Sequence, residues 1–295
     1  MSSSSFANQK DLKFRITLAQ TTFANGSNQV TFNGFRATVD VTMAGWHTNG
    51  SAVMRIWGLS QSLMNAVTTL TWAPLSINEK NIVEVWAVDG GVETLVFKGD
   101  IVNAWGDYSG MPDVCLFIQT STCYNLQVQP ALPTSYNDAI SVEVVLRQLA
   151  DKMGLILEVT PTISKMTIDR PYLQGSLIDQ LRQLINATDL RYSLTADILS
   201  AYTKDEYRSG GTFAPVINPD TGLMGYPIFD NNGVNFKCYY NPAIANGGAI
   251  KVESSVTRAS GTFAVTAIDY HLSSLMPGGP WFMEVICTNV GLVPR

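Results

Sequence analysis

From Leu12 to Gln20 the apolar residues Phe14, Ile16 and Leu18 alternate with Lys13, Arg15 and Thr17, a period of two that predicts a strand with one buried face. Val30 and Phe32 begin a second alternation. It resumes as Phe35, Ala37, Val39, Val41 and Met43, one residue out of step across Asn33-Gly34, where a β-bulge is expected to absorb the extra residue and bend one long strand. Further strands are predicted at 52–57, 82–88, 93–98, 100–105 and 113–128. Between the third and fourth segments lies SQSLMNAVTTL, which changes period. Ser60 is placed to cap a helix whose stripe is Leu63, Met64, Val67 and Leu70, and such a helix is expected to lie on a curved sheet.

Pro130 and Pro133, in QPALPTSYND, end this β grammar and mark a domain boundary. Ser141 then caps a predicted helix with Val142, Val145, Leu146, Leu149 and Met153 on one face and Gly154 at its C-terminal end. A strand at 155–160 follows. A second helix opens at Ser176 with Asp179 completing a capping box, and carries Leu177, Leu181, Leu184 and Ile185 inward. Strands at 190–195 and 197–203 complete a small α/β module. After Arg208-Ser209-Gly210-Gly211 the β pattern returns near 234–240, 249–256, 262–270 and 281–289, with turns at Asn241-Pro242, Gly247-Gly248 and Pro277-Gly278-Gly279-Pro280. Both β regions carry a Ser- and Gly-bearing loop with proline (WGDYSGMPD, HLSSLMPGGP) that re-enters a strongly apolar strand (VCLFIQT, WFMEVICT), which suggests a duplicated β domain split by an insertion. The expected class is mainly β with an α/β insertion. Residues 1–11 form a flexible N-terminus, 12–130 a first β domain with one helix, 131–208 the small α/β domain and 209–295 a second β domain.

Charged residues make up 15% of the 295 residues, against about 25% in an ordinary soluble chain, so either uncharged polar groups cover the surface or part of it is buried against partners. Net charge is −5 without a basic run, which argues against DNA as a bound ligand. The N-terminus has no apolar signal region and no window approaches a membrane span, so a chain made and released in the cytosol, with no membrane partner, is expected. Cys115, Cys123, Cys238 and Cys287 sit apart in strand-like runs and read as buried reduced thiols.

Catalytic patterns are missing. WGLSQS has Ser62 where a nucleophile elbow needs its second glycine, so Ser60 reads as a helix cap. His47 and His271 have no carboxylate or cysteine at useful local spacing. Asp138, Glu143 and Asp205-Glu206 read as loop and helix-face charges rather than a glycosidase pair. DNNG at 230–233 fails the calcium-loop spacing and is explained by Asx turns, and the Gly-Gly pairs beginning at 90, 210, 247 and 278 match no phosphate loop. No catalytic, metal or cofactor residue is assigned. Of the tryptophans, Trp46, Trp57, Trp72, Trp86 and Trp105 fall in the first β region and Trp281 in the last. Trp46 and Trp105, beside glycines and loops, are candidate interface anchors, as are Tyr108, Met111, Met276 and Trp281 in and after the two proline loops.

The succession FRATVDVTMAG, VMRIWGLSQSLMNAVTTL, VFKGDIVNAWGDYSGMPDV, LPTSYND, TGLMGYPIFDNNGV, YYNPAIANGGAIKVES and HLSSLMPGGPWFMEV resembles the baseplate hub protein of contractile-tailed phages and related prophage tails, over residues 12 to about 293. The resemblance implies two tail-tube-like β-barrel domains flanking the α/β module and a homotrimer presenting six similar domains in a ring. It implies that this ring joins the tail tube protein to the tip spike protein, among other baseplate proteins, in the virion tail baseplate after assembly in the host cytoplasm. It also implies a channel for tape-measure protein and for DNA in transit, with no enzymatic activity. Within that picture the Gly- and Pro-bearing passage 219–248 is the connection into the second β domain. A β-rich glycan-binding tail module using tryptophans as stacking platforms, and a cell-wall hydrolase acting through a carboxylate pair, are the alternatives.

Overall fold

The computed structural model describes residues 10–45, 49–69, 81–208, 214–229 and 232–289. It is mainly β, and the chain divides into two compact units. The first comprises the chain through Thr42, Ser51–Asn125 and Tyr270–Phe282. The second comprises Met43–Gly50, Leu126–Asp269 and the chain from Met283 onward.

In the first unit, β1 (Lys10–Thr17), β2 (Gln29–Phe32), β3 (Ala37–Met43), β4 (Ser51–Trp57), β5 (Ile82–Asp89), β6 (Val92–Asp107) and β7 (Cys115–Ser121) pair antiparallel in the order β3-β4-β7-β6-β5-β1-β2. The period-two alternation does what it predicts. Leu12, Phe14 and Ile16 are fully buried, and β1 sets Phe14 opposite Val85 and Ile16 opposite Val83. Val39, Met54 and Ile118 line up across β3, β4 and β7 with no exposure. Helix α1 (Gln61–Val67) begins at Ser60, whose Oγ accepts from the Leu63 amide at 3.3 Å. Met64 and Val67 are buried and Leu63 half-buried; Leu70 lies outside the described residues. Thr69 fastens the end of this helix to β6 through two bonds with Ala104.

Three expectations need correction here. The alternation broken at Asn33-Gly34 is not one bulged strand: β2 pairs with β1, whereas β3 pairs with β4. Gly34, at φ +71°, turns the chain in the left-handed region and donates its amide to Asp11 Oδ2 at 3.0 Å, while Phe32 stacks on Phe14. The strands expected at 93–98 and 100–105 are one strand, β6, whose register shifts are absorbed at Val85/Trp86 and Ile101/Asn103. The strand expected over 113–128 stops at Ser121. Cys123 takes φ +55°, and a short helix α2 (Tyr124–Val128) starts where the Asn125 amide meets Asp100 Oδ2 at 2.8 Å.

The second unit holds two short pairings, β8 (Thr134–Ser135) with β12 (Tyr172–Leu173) and β9 (Ile140–Ser141) with β11 (Thr167–Ile168). They flank α3 (Val142–Met153) and α4 (Leu177–Thr188). These helices pack on each other and on a three-stranded sheet in which β10 (Ile156–Val159) runs parallel and β13 (Leu190–Thr195) antiparallel to β14 (Ile198–Thr203). Gly154 closes α3 at φ +70°. The Ser176/Asp179 capping box is present on both sides. Ser141 does stand at the N-cap of α3, but its side chain makes no capping bond; the backbone there is tied instead by the Val142 amide, which donates to the Met166 carbonyl at 3.0 Å. In α4, Leu177 is only half-buried and Ile178 joins Leu181, Leu184 and Ile185 at zero exposure.

The remaining strands of this unit are β15 (Val216–Ile217), β16 (Leu223–Phe229), β17 (Gly233–Tyr239), β18 (Ala249–Val252), β19 (Gly261–Ser274, shared with the first unit) and β20 (Trp281–Thr288). Their order is β16-β17-β20-β19, with β18 beside β19 and β15 parallel to β18. Neither β15 nor β16 is expected from the sequence pattern, and β18 is shorter than the predicted 249–256. Cys115, Cys238 and Cys287 are buried and Cys123 half-buried, all four as free thiols. Burial raises the Cys115 thiol, pushes Cys238 up to about 12 and drives Cys287 further up, so these three behave as small apolar groups.

Candidate assembly surfaces

The passage 219–248, expected to be only a connection, contains the most exposed apolar strand among those described. β16 pairs on one side, with β17, first as Leu223 opposite Cys238 and Met224 opposite Lys237. It resumes as Ile228 opposite Asn235 after a register shift. Gly225 at φ +71° and Pro227 lie in that shift, and proline, having no amide hydrogen, is tolerated where no partner strand needs one. Tyr226 is 76% exposed, Ile228 72% and Phe229 44%. Tyr226 and Ile228, with Met224, Phe236, Val285 and Ile286, border a hollow of about 320 Å3, rimmed by Asp269, Glu284 and Lys237, with Lys237 Nζ 3.2 Å from Glu284 Oε1. Gly233 fixes the base of the hairpin: a Cβ there would stand 1.9 Å from the Cys287 carbonyl oxygen, so β17 and β20 approach as only a glycine allows.

In the first unit the β6–β7 loop exposes Tyr108 and, most fully, Met111. Asp107 braces this loop: its carboxylate accepts the Ser109 hydroxyl at 2.6 Å and the Ser109 amide at 3.0 Å, bonds that hold it below the usual carboxylate value. Trp105 is half-buried, its ring 4.4 Å from that of Phe117. A cleft of about 560 Å3 lies against Phe35, Trp57 and Pro112, where the Arg36 guanidinium covers Trp57 at 4.5 Å and pairs with Asp113 at 3.6 Å. In the β19–β20 loop Met276 is half-buried and Leu275 is exposed, whereas Trp281 is 7% exposed beneath Lys10, whose ammonium lies 5.7 Å from its ring. Trp46, His47, Trp72, Asp230 and Asn231 lie outside the described residues.

Folding brings together one pair that local spacing does not show. His271 Nδ1 is 2.7 Å from Asp40 Oδ1, with the Phe282 ring 5.0 Å away. The carboxylate comes from a strand 231 residues earlier, so His271 has in space an acidic partner that local spacing does not supply. Among the described residues no group of three or more His, Cys, Asp or Glu is arranged to hold a metal ion, and no helix is long and apolar enough to cross a membrane. Glu206, read as a loop charge, is fastened by the hydroxyls of Thr160 at 2.6 Å, Thr162 at 2.5 Å and Thr203 at 3.0 Å. Burial raises its pKa and these three donors more than reverse the effect, leaving it below the ordinary carboxylate value, as suits a structural staple.

The signal for β16 was present in the sequence. Met224, Tyr226 and Ile228 alternate with Gly225 and Pro227, and a proline inside an alternation indicates an edge strand as readily as a break.

The model of a family described as baseplate hub gp41 matches residues 14–286. No curated protein sequence matches the chain. Among solved structures, it is similar to the 43 kDa tail protein of prophage MuSo2 from Shewanella oneidensis, with TM-score 0.57, 8% identity and coverage of 94% of this chain and 99% of that one. It is also similar to the tail protein from Neisseria meningitidis MC58, with TM-score 0.61, 8% identity and coverage of 95% and 97%. A third is the E. coli c3393 protein, a component of the type VI secretion system described as structurally similar to T4 bacteriophage tail proteins gp27 and gp5. There the TM-score is 0.56 at 10% identity, over 87% of this chain and 74% of that one. At such identities the likeness is one of fold.

Proposed function

The chain belongs to the baseplate hub gp41 family, and we propose that it acts as a structural subunit whose homotrimer forms a pseudo-six-fold ring between the tail tube and the tip spike. The observation that carries this reading is the single family match running through both β regions and the α/β module. In this reading residues 12–130 and 209–295 are the two tube-like domains and 131–208 the insertion. Three chains then offer six similar walls, which matches a three-fold spike to a six-fold tube. Low charge content and the exposed side chains of β16 and of the β6–β7 loop support burial against neighbours. The same ring surrounds the passage for DNA and tape-measure protein. Its wall is neutral or acidic, following the net charge of −5, so that DNA slides without adhering.

The subunit does its work by shape, without turnover. The glycan-binding alternative draws little support from the tryptophans: Trp57 has one face taken by Arg36, Trp86 by Arg15 at 4.6 Å, and Trp105 packs on Phe117. Light scattering on purified protein, with electron microscopy of tails carrying a labelled subunit, tests the proposal. It expects a species of three times 32.2 kDa and label at the tube–spike junction. A persistent monomer that labels no tail would overturn it, as would a strongly positive lumen for the wall.

A further inference from the structure

Leu275 has φ +49°, a backbone conformation that its Cβ disfavours and that glycine or asparagine usually supplies. It is also 54% exposed, so no core contact compensates. The loop holds it there firmly. Ser273 Oγ donates to the Pro280 carbonyl at 2.9 Å, Ser274 Oγ to the Phe35 carbonyl at 2.6 Å, and the Gly279 amide to the Met276 carbonyl at 3.0 Å. An apolar side chain presented to water on a braced, strained backbone is pre-organised for uptake by another surface, since little further ordering remains to be done on contact.

The hollow bordered by β16, β17 and β20 is the complementary shape. Its 320 Å3 and its lining of Met224, Tyr226, Phe236 and Ile286 suit a leucine and a methionine side chain entering together. Pro227 and the register shift prevent β16 from accepting a further strand along its length, so side-chain packing is what this edge offers. Charges agree with that pairing. Asp269 and Glu284 outnumber Lys237 around the hollow, while the base of the loop carries the Lys10 ammonium above Trp281. Knob and hollow are unlike surfaces on one chain, and a contact between unlike surfaces repeats head to tail until a rotation closes it into a ring.

We propose that Leu275 and Met276 of one copy seat in the β16–β17–β20 hollow of the next copy. This rests on the ring reading above and names the contact that closes it. Sedimentation equilibrium of the full chain is the test. Leu275→Glu and Ile228→Lys are each expected to weaken self-association about tenfold or more, and the chain carrying both is expected to recover part of the loss through the new ion pair. Leu275→Gly separates assembly from folding. It relieves the backbone, so the melting temperature stays level or rises, while association weakens. A wild-type trimer unaffected by Leu275→Glu and Ile228→Lys overturns this contact and leaves the hub reading standing. A wild-type chain that never associates overturns both.

Discussion

The α/β module around α3 and α4 and the exposed face of the β16–β17 hairpin use apolar side chains in opposite ways. In the module, Val145, Leu146, Leu149, Leu181, Leu184 and Ile185 are all completely out of water, and Gln180 satisfies both ends of its amide on Thr134, Leu132 and Gly175. In the hairpin, Tyr226 and Ile228 are each more than 70% exposed. Burying one such side chain contributes about 1.5–3 kcal/mol, so the module already holds that stabilisation whereas the exposed side chains of the hairpin do not contribute it within the chain. Under the proposed ring reading, stability of the chain and its capacity to assemble reside in different segments, and substitutions should separate them.

The largest separation is expected from Leu181→Ala, which opens a cavity in the module and should cost about 3 kcal/mol, read by urea unfolding. Its counterpart Ile228→Ser should stay within about 0.5 kcal/mol of wild type in the isolated chain while lowering self-association. An Ile228→Ser chain that unfolded as readily as Leu181→Ala would erase the contrast. Gly233→Ala sharpens it within the hairpin itself. The new methyl meets the Cys287 carbonyl at 1.9 Å, and the predicted loss of about 3 kcal/mol reports a backbone contact rather than an exposed side chain. Gly225→Ala, with nothing within 4 Å but φ +71°, should lose only about 1 kcal/mol.

The same division explains what could be read from the sequence. Segments that satisfy themselves locally were legible: Ser176 and Asp179 are three residues apart and complete each other's bonds, Gly154 marks its own helix end, and the β1 alternation reports its own burial. Features that depend on distant backbone were not. Nothing near Asn33-Gly34 tells that Asp11 waits 23 residues earlier to receive the Gly34 amide, and nothing near His271 announces Asp40. β16 was missed for a different reason. Tyr226, Ile228 and Phe229 face water rather than a core, and Gly225 and Pro227 interrupt the strand, so the turn signal outweighs a period of two.

Capping divides more finely. Ser176→Ala removes a side chain that takes the Asp179 amide at 3.1 Å and donates to its carboxylate at 2.8 Å, and should lower stability by about 1 kcal/mol. Ser141→Ala, at an N-cap whose hydroxyl makes no such bond, should cost no more than a few tenths, about 0.3 kcal/mol. Equal losses in thermal unfolding would mean that the cap position matters and the bond does not.

Glu206 gives a small effect and a distinct signature. Its three threonine donors favour the carboxylate, so its pKa in the folded chain lies below the ordinary 4.5. A depressed carboxylate contributes stability that is fully present above the unfolded pKa and is lost as pH falls through the folded one. Glu206→Gln keeps one acceptor oxygen and loses the charge, and at neutral pH should be less stable than wild type by no more than about 1 kcal/mol, since the site is partly solvated. That difference should shrink as pH drops below 4.5, where wild type takes up the proton and both side chains become neutral. Paired urea titrations at neutral and acidic pH read this directly. A gap that widened on acidification would mean that the threonines favour the protonated acid, and the staple at the edge of the module would then be a neutral one.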